Sequence, residues 1–174
     1  MSLFNKLFGK NDDLAFARPL YAAVVAQARV PHWYVEGEVA DSVDGRFEMV
    51  SVILALVLIA LEGLGDSANL VSARLTEVFV EDMDGQMRES GMGDVVVGKH
   101  IGKMMSALGG RLGAYRDALN EKGTLEAALV RNLYRGIQPL PGALIHVDAK
   151  VRALHIELSK YSLDDFIVGR VGAA

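Results

Sequence analysis

The longest uncharged, strongly apolar run in the chain lies between Met49 and Leu61, inside the stretch Asp41 to Glu62 (DSVDGRFEMVSVILALVLIALE). Coiled as a helix, this run is apolar on every face. At about 1.5 Å per residue it is about 20 Å long, whereas crossing a bilayer takes about 20 apolar residues. Asp44, Glu48 and Glu62 bracket it with charge. The pattern predicts the central rod of a helical domain, buried all round, rather than a membrane span. Ser42 or Asp41 supplies its cap, and the acidic residues of its first turn suit the positive end of the helix dipole.

The other elements are amphipathic. A helix beginning near Arg18–Pro19 carries Leu20, Val24 and Ala28 on one face and ends before Pro31, because the residue preceding a proline is pushed out of the helical region. The aromatic cluster His32-Trp33-Tyr34 follows, with Trp33 expected to pack on the central rod. Gly63 and Gly65 close that rod. Asp66 or Ser67 then caps a helix to about Ser90 with the stripe Val71, Leu75, Val78, Phe79, Met83 and Met87.

Gly91 and Gly93 stop it, and Asp94 is the expected cap of the next helix, whose stripe runs Val97, Ile101, Met104, Met105, Leu108, Leu112, Tyr115 and Leu119. Beside that stripe lie Gly98, Gly102, Ser106, Gly109 and Gly113, a spacing that lets another helix approach closely, with a kink expected at Gly109-Gly110. Thr124 caps a helix to about Arg135. After the turn Leu140–Gly142, the spacing of Leu144, Val147, Val151, Leu154, Leu158 and Tyr161 predicts a last bundle helix. His146 and His155 belong to no ligand motif and are read as structural or exposed. The fold class is a single-domain, all-α bundle of about six helices around the apolar rod.

Ahead of this domain, Leu3, Phe4, Leu7 and Phe8 fall at helical spacing with Lys6 and Lys10 opposite. This segment, residues 1–12, suits an interfacial helix with those four apolar side chains in lipid headgroups, or else a frayed terminus or a flap over the core.

Composition narrows the chemistry. No cysteine is present, which excludes disulfides, thiolate nucleophiles and cysteine-ligated zinc. There is no secretory or transit signal at the N-terminus, so a cytoplasmic location is expected, peripheral on the inner face of a bacterial inner membrane if the N-terminal segment meets lipid. The net charge of −4 argues against nucleic-acid binding. The charge is unevenly placed, with thirteen acidic and three basic residues in 36–98 but seven basic and three acidic in 99–135. Either the folded surface has two poles, or the two segments pack together and neutralise each other.

Glu77, Glu81, Asp82 and Asp84 crowd one side of a helix and raise the question of a metal. An EF-hand register anchored on Gly85 places Val80 and Gly91 at its first and last ligand positions, and no Glu-x-x-His pair exists for a di-iron bundle. A solvated acidic face, with Arg88 paired to Asp84, fits better. Gly93 to His100 (GDVVVGKH) lacks the Ser or Thr of a phosphate-binding loop and follows a helix rather than a strand. No cofactor or metal is expected.

Four segments nevertheless carry a resemblance: YAAVVAQARVPHWY (Tyr21–Tyr34), DSVDGRFEM (Asp41–Met49), FVEDMDGQMRESGMGD (Phe79–Asp94), and VGKHIGKMM with GRLGAY reaching Tyr115. In this order they resemble the ubiquinol–cytochrome c chaperone family, which includes the mitochondrial assembly factor for cytochrome b of respiratory complex III and bacterial relatives. The match spans about Leu20 to Leu119, with Leu108-Gly109 standing where an aromatic pair is expected.

The resemblance implies an all-helical, non-enzymatic chaperone-like domain (18–170) for a newly made membrane subunit, cytochrome b, working with a small partner subunit or near the ribosome. The junction of the acidic and basic helices then supplies the candidate client contacts: Glu81, Asp82, Met83, Asp84, Met87, Arg88, Met92, Asp94, Lys99 and Lys103. Methionines offer soft apolar contact, and acidic residues suit the Lys- and Arg-rich cytoplasmic loops of membrane proteins. Two other classes stay open: a helical structural or regulatory protein without a cytochrome client, and a small enzyme using Asp82 and Asp84 with Lys99 or His100.

Overall fold

The structure, a computed structural model, describes residues 14–89, 91 and 93–172. Among these, the chain forms eight α-helices and no strand. They are α1 (Arg18–Ala28), α2 (His32–Val35), α3 (Val43–Gly63), α4 (Asn69–Glu89), α5 (Asp94–Leu119), α6 (Leu125–Asn132), α7 (Pro141–Leu158) and α8 (Leu163–Ile167).

Helix α3 is the predicted rod. Ser42 caps it by accepting from the Gly45 N–H at 3.1 Å. From Met49 to Leu61 every residue but Ile59 is buried. The single hydroxyl inside this run, on Ser51, donates to the Phe47 carbonyl at 2.9 Å, so burial leaves it satisfied. Around the rod pack α1, α4, α5 and α7, with α6 wedged between α5 and α7 and α8 closing on α1. Among the described residues no helix is long and apolar enough to cross a membrane.

Each stripe lands on this core. Val71, Leu75, Val78, Phe79 and Met83 of α4 are buried, as are Leu144, Val147, Val151, Leu154 and Leu158 of α7. Trp33 is 1 % exposed and donates its indole N–H to the Gln27 carbonyl at 2.9 Å. The backbone turns sharply at Gly65 (φ +73°) between α3 and α4, where a 3₁₀ segment, Gly65–Ala68, precedes the α-helix.

Several expectations are corrected. The aromatic cluster forms a one-turn helix of its own, α2, beyond the helices the spacing predicts. A further short helix, α8, begins at Ser162, whose hydroxyl and the Asp165 carboxylate form a reciprocal capping box. These two raise the count from about six to eight. Gly93, not Asp94, occupies the cap position of α5. That helix runs unbroken through Gly109-Gly110. Its glycines face no neighbour: a Cβ at Gly98, Gly102, Gly109, Gly110 or Gly113 meets nothing within 4 Å. The small-residue stripe is an open surface and not a helix contact.

The uneven charge is resolved by packing. Glu48 and Glu62 of α3 pair with Arg111 and Arg116 of α5, each with a shortest N–O distance of 2.6 Å, and Asp44 pairs with Arg135. Three acidic residues of 36–98 are thus paired with arginines of 99–135. Glu48 in particular does not bracket the buried helix from outside; it is buried, 6 % exposed.

Candidate functional site

The first turns of α3, the C-terminal half of α4, the start of α5 and the outer side of α1 do not close on one another. Between them lies a cleft of about 570 Å³. Its apolar wall comes from Val25, Val43, Phe47, Val50, Met83, Met87 and Met104, and its polar positions are Tyr21, Arg29, Asp44, Arg46, Asp82, Gln86 and His100.

The floor is aromatic. Phe47 stacks on the fully buried Phe79 with ring centroids 6.2 Å apart, and Tyr21 meets Phe79 edge-on at 6.3 Å. The Arg111 guanidinium covers Phe47 at 5.7 Å from the ring centroid. A carboxylate ties α1 to α4 here: Tyr21 Oη donates to Asp82 Oδ2 at 2.6 Å, and Gln86 Nε2 donates to the same oxygen at 3.1 Å. Burial, reinforced by this hydrogen bond to an acceptor, pushes the Tyr21 hydroxyl far above the ordinary tyrosine value. It stays a proton donor. Across the mouth, the guanidinium of Arg46 donates to Asp41 at 2.6 Å and holds that carboxylate below its ordinary range.

The four carboxylates of α4 are engaged one by one. Glu77 pairs with Arg74 at 2.6 Å, Glu81 with Arg18 at 2.8 Å and Asp84 with Arg88 at 2.5 Å, while Asp82 takes Tyr21 and Gln86. Glu81 and Asp82 line a smaller polar recess beside the cleft together with Arg18. The Asp84–Arg88 pair is the one the spacing predicts, while Glu81 and Asp82 take partners on α1 that it does not.

Of the client contacts read from sequence, Asp82, Met83 and Met87 line the cleft. Glu81 borders the recess beside it. Asp84, Arg88, Lys99 and Lys103 sit on α4 and α5 outside both linings. Met92 lies outside the described residues, as do the side chain of Asp94 and the whole segment carrying Leu3, Phe4, Leu7 and Phe8. Tyr21, Val43, Phe47, Val50 and Met104 are cleft residues that the reading of single helices missed. Their signal was partial: Phe47 falls in the DGRFEM segment and Met104 on the α5 stripe, but nothing in either segment announces that the two meet.

The chain is an all-helical bundle holding an open cleft walled by methionine and valine over an aromatic floor. The chain belongs to the ubiquinol–cytochrome C chaperone family, whose model its sequence matches over residues 36–173. Its fold is similar to the crystal structure of the Cbp3 homolog from Brucella abortus, with a TM-score of 0.79 and 30 % identity, over 92 % of this chain and 89 % of that one. A comparison with curated proteins gave no match. The family match takes in α6, α7 and α8, beyond the range read from sequence, and leaves out the segment Tyr21–Tyr34.

Proposed function

We propose that this protein is an assembly chaperone that holds newly made cytochrome b during biogenesis of ubiquinol–cytochrome c reductase, respiratory complex III. The observation that carries the reading is the cleft between α1, α3, α4 and α5 in a chain of the ubiquinol–cytochrome C chaperone family. A nascent transmembrane segment presents Leu, Ile, Val and Phe in no fixed register. Unbranched, polarisable methionines at Met83, Met87 and Met104 adapt to such side chains better than rigid branched ones do. Burying each large apolar side chain contributes about 1.5–3 kcal/mol, so a few contacts give a hold that is firm and reversible.

Charge at the rim supplies orientation. Asp44, Glu81, Asp82 and Asp84, each partnered within the free chain, exchange those partners for the basic flanks that cytoplasmic loops of membrane proteins carry. Arg88 of α4 and Lys99 and Lys103 of α5, with Met92 and Asp94 between them in the sequence, complete the proposed client surface. The segment bearing Leu3, Phe4, Leu7 and Phe8 places the chaperone at the membrane face where cytochrome b inserts, with a small partner subunit or the ribosome delivering the client. No catalytic role is assigned to Asp82 or Asp84, whose hydrogen bonds are spent on Tyr21, Gln86 and Arg88.

The test is affinity capture from native membranes with the wild-type chain and with Val43→Glu/Met87→Glu. Wild type is expected to retain cytochrome b and the double variant to lose it while keeping its helical circular dichroism. Equal retention by both, or none by either, contradicts the reading; the second outcome leaves a helical interaction protein without a cytochrome client.

A further inference from the structure

The acidic recess and the apolar cleft adjoin. The recess, about 380 Å³, and the cleft, about 570 Å³, share Tyr21, Asp82 and Gln86 on their linings. Together they make a groove between α1 and α4 that starts at Arg18, the first residue of α1, and reaches Arg29 just past its end. Its apolar wall is incompletely covered, with Val43 82 % exposed.

The chain itself holds a segment that can reach this groove. Leu14, four residues ahead of Arg18, is buried, and its carbonyl accepts from the Ala17 N–H at 3.0 Å. Thirteen residues precede it. Measured along α1, Arg29 lies about 20 Å beyond Leu14. Turned back along the groove, residues 11–13 in extended form cover about 10 Å and residues 2–10 coiled as a helix about 13 Å, which together span it.

The chemistry matches as well as the length. Leu3, Phe4, Leu7 and Phe8 share one side of such a helix, with Lys6 and Lys10 opposite. The recess sets three carboxylates, Glu81, Asp82 and the exposed Glu89, against the single guanidinium of Arg18. A segment tied to α1 by so short a linker has a local concentration on the order of 1 mM, so weak contacts suffice to seat it.

We propose that residues 1–10 occupy this groove in the client-free chain as a stand-in for the client. Leu3, Phe4, Leu7 and Phe8 then lie against the methionine and valine wall, and Lys6 and Lys10 turn to Glu81 and Glu89. This regulation rests on the reading of the cleft as the client site. The four apolar side chains serve either the groove or lipid, never both at once. A client that takes the groove frees the segment for the membrane, so client capture and membrane attachment are coupled.

The experiment needs no cytochrome b. A photo-crosslinking side chain at Phe8 of the purified full-length chain is expected to give adducts within the chain, to the part of α4 carrying Met83 and Met87 or to Met104 of α5. Adducts only elsewhere, or only between two chains, overturn the proposal. A second arm floats wild type, Val43→Gln/Met87→Gln and that variant without residues 1–10 on phosphatidylglycerol vesicles. Polar side chains on the wall should release the segment and raise flotation about threefold or more, the gain when at most about one third of the chains are open beforehand. The rise should vanish once residues 1–10 are removed, while helical circular dichroism is kept throughout. Unchanged or reduced flotation in the double variant, or a rise that survives the deletion, overturns the proposal. Cleft adducts without retention of cytochrome b in the capture experiment sink the client reading and leave the segment seated. Retention of cytochrome b without cleft adducts sinks this inference alone.

Discussion

Arg111 reaches from α5 to Glu48 inside the buried helix α3, its Nη2 2.7 Å from Oε1 and 2.6 Å from Oε2. Both side chains are nearly out of water, at 15 % and 8 % exposure. Burial raises the Glu48 pKa above the ordinary 4.5, with the Arg111 charge opposing it. A raised carboxyl pKa means that the folded state holds its proton more tightly than the unfolded chain does. The contribution to stability is therefore full below 4.5 and falls as pH rises through the folded value. Removing Arg111 worsens this at neutral pH, because an unpaired buried carboxylate is left. Arg111→Met should cost about 3–5 kcal/mol at pH 7, by denaturant unfolding. The deficit should shrink near pH 4.5, where Glu48 takes up a proton. A deficit independent of pH would show that lost packing on Phe47, not charge, sets the cost.

A histidine pair works in the opposite direction. His32 Nδ1 of α2 lies 3.1 Å from His146 Nε2 of α7, so one ring donates and the other accepts. Burial first, then His146 and Lys150, push the His32 pKa below 6.5, while Glu36 pulls weakly back. A lowered pKa gives stability that is present above 6.5 and is lost as pH falls through the folded value. The melting temperature should drop on acidification below pH 6.5, and the drop should be smaller in His32→Gln. His155 on α7, also lowered by burial, contributes the same sign, so the difference between the two proteins is the diagnostic quantity. An identical pH profile for both would remove the pair from the account.

Glycine substitutions separate open from closed backbone. At Gly45 a Cβ falls 1.9 Å from the Ala40 carbonyl oxygen, so Gly45→Ala has to displace the start of α3 and destabilise the fold. Gly98→Ala and Gly102→Ala meet nothing and exchange a poor helix former for the best one. Each should stabilise by about 0.5–1 kcal/mol, measured by thermal unfolding. Destabilisation at either position would mean that another element packs on α5 after all.

How much of this was legible follows from the kind of signal each feature leaves. The α3 rod and the α4 and α7 stripes are one-helix properties, written in local spacing, and they fold as spaced. The α8 helix is equally local, announced by Ser162 and Asp165 three residues apart, but its five residues are too few to show a helical period. The cleft is different. Tyr21 and Asp82 are separated by 61 residues, and their hydrogen bond depends on the register of α1 against α4, which no single helix encodes. Arg111 and Glu48 are 63 apart, and the sequence offers no reason to seat a carboxylate in an apolar rod. The α5 glycines show the converse error: spacing suited to close approach does not by itself supply a neighbour.

The N-terminal segment lies outside the described residues, and its role is open to direct measurement. Deleting residues 1–10 should weaken flotation with anionic liposomes while leaving the melting temperature nearly unchanged, because Leu3, Phe4, Leu7 and Phe8 lie ahead of the family-like region in the sequence. Undiminished flotation by the truncated chain would move the membrane contact elsewhere.

The central claim is that cytochrome b lies in the cleft between α1, α3, α4 and α5. A photo-crosslinking side chain placed at Met87, and separately at Val43, in cells synthesising complex III tests it most directly. Ala149, exposed on the far helix α7, serves as the control. Adducts with cytochrome b at Met87 and Val43 and none at Ala149 are predicted. Adducts at Ala149 with none at either cleft position would contradict the account and place the client on the opposite face of the bundle.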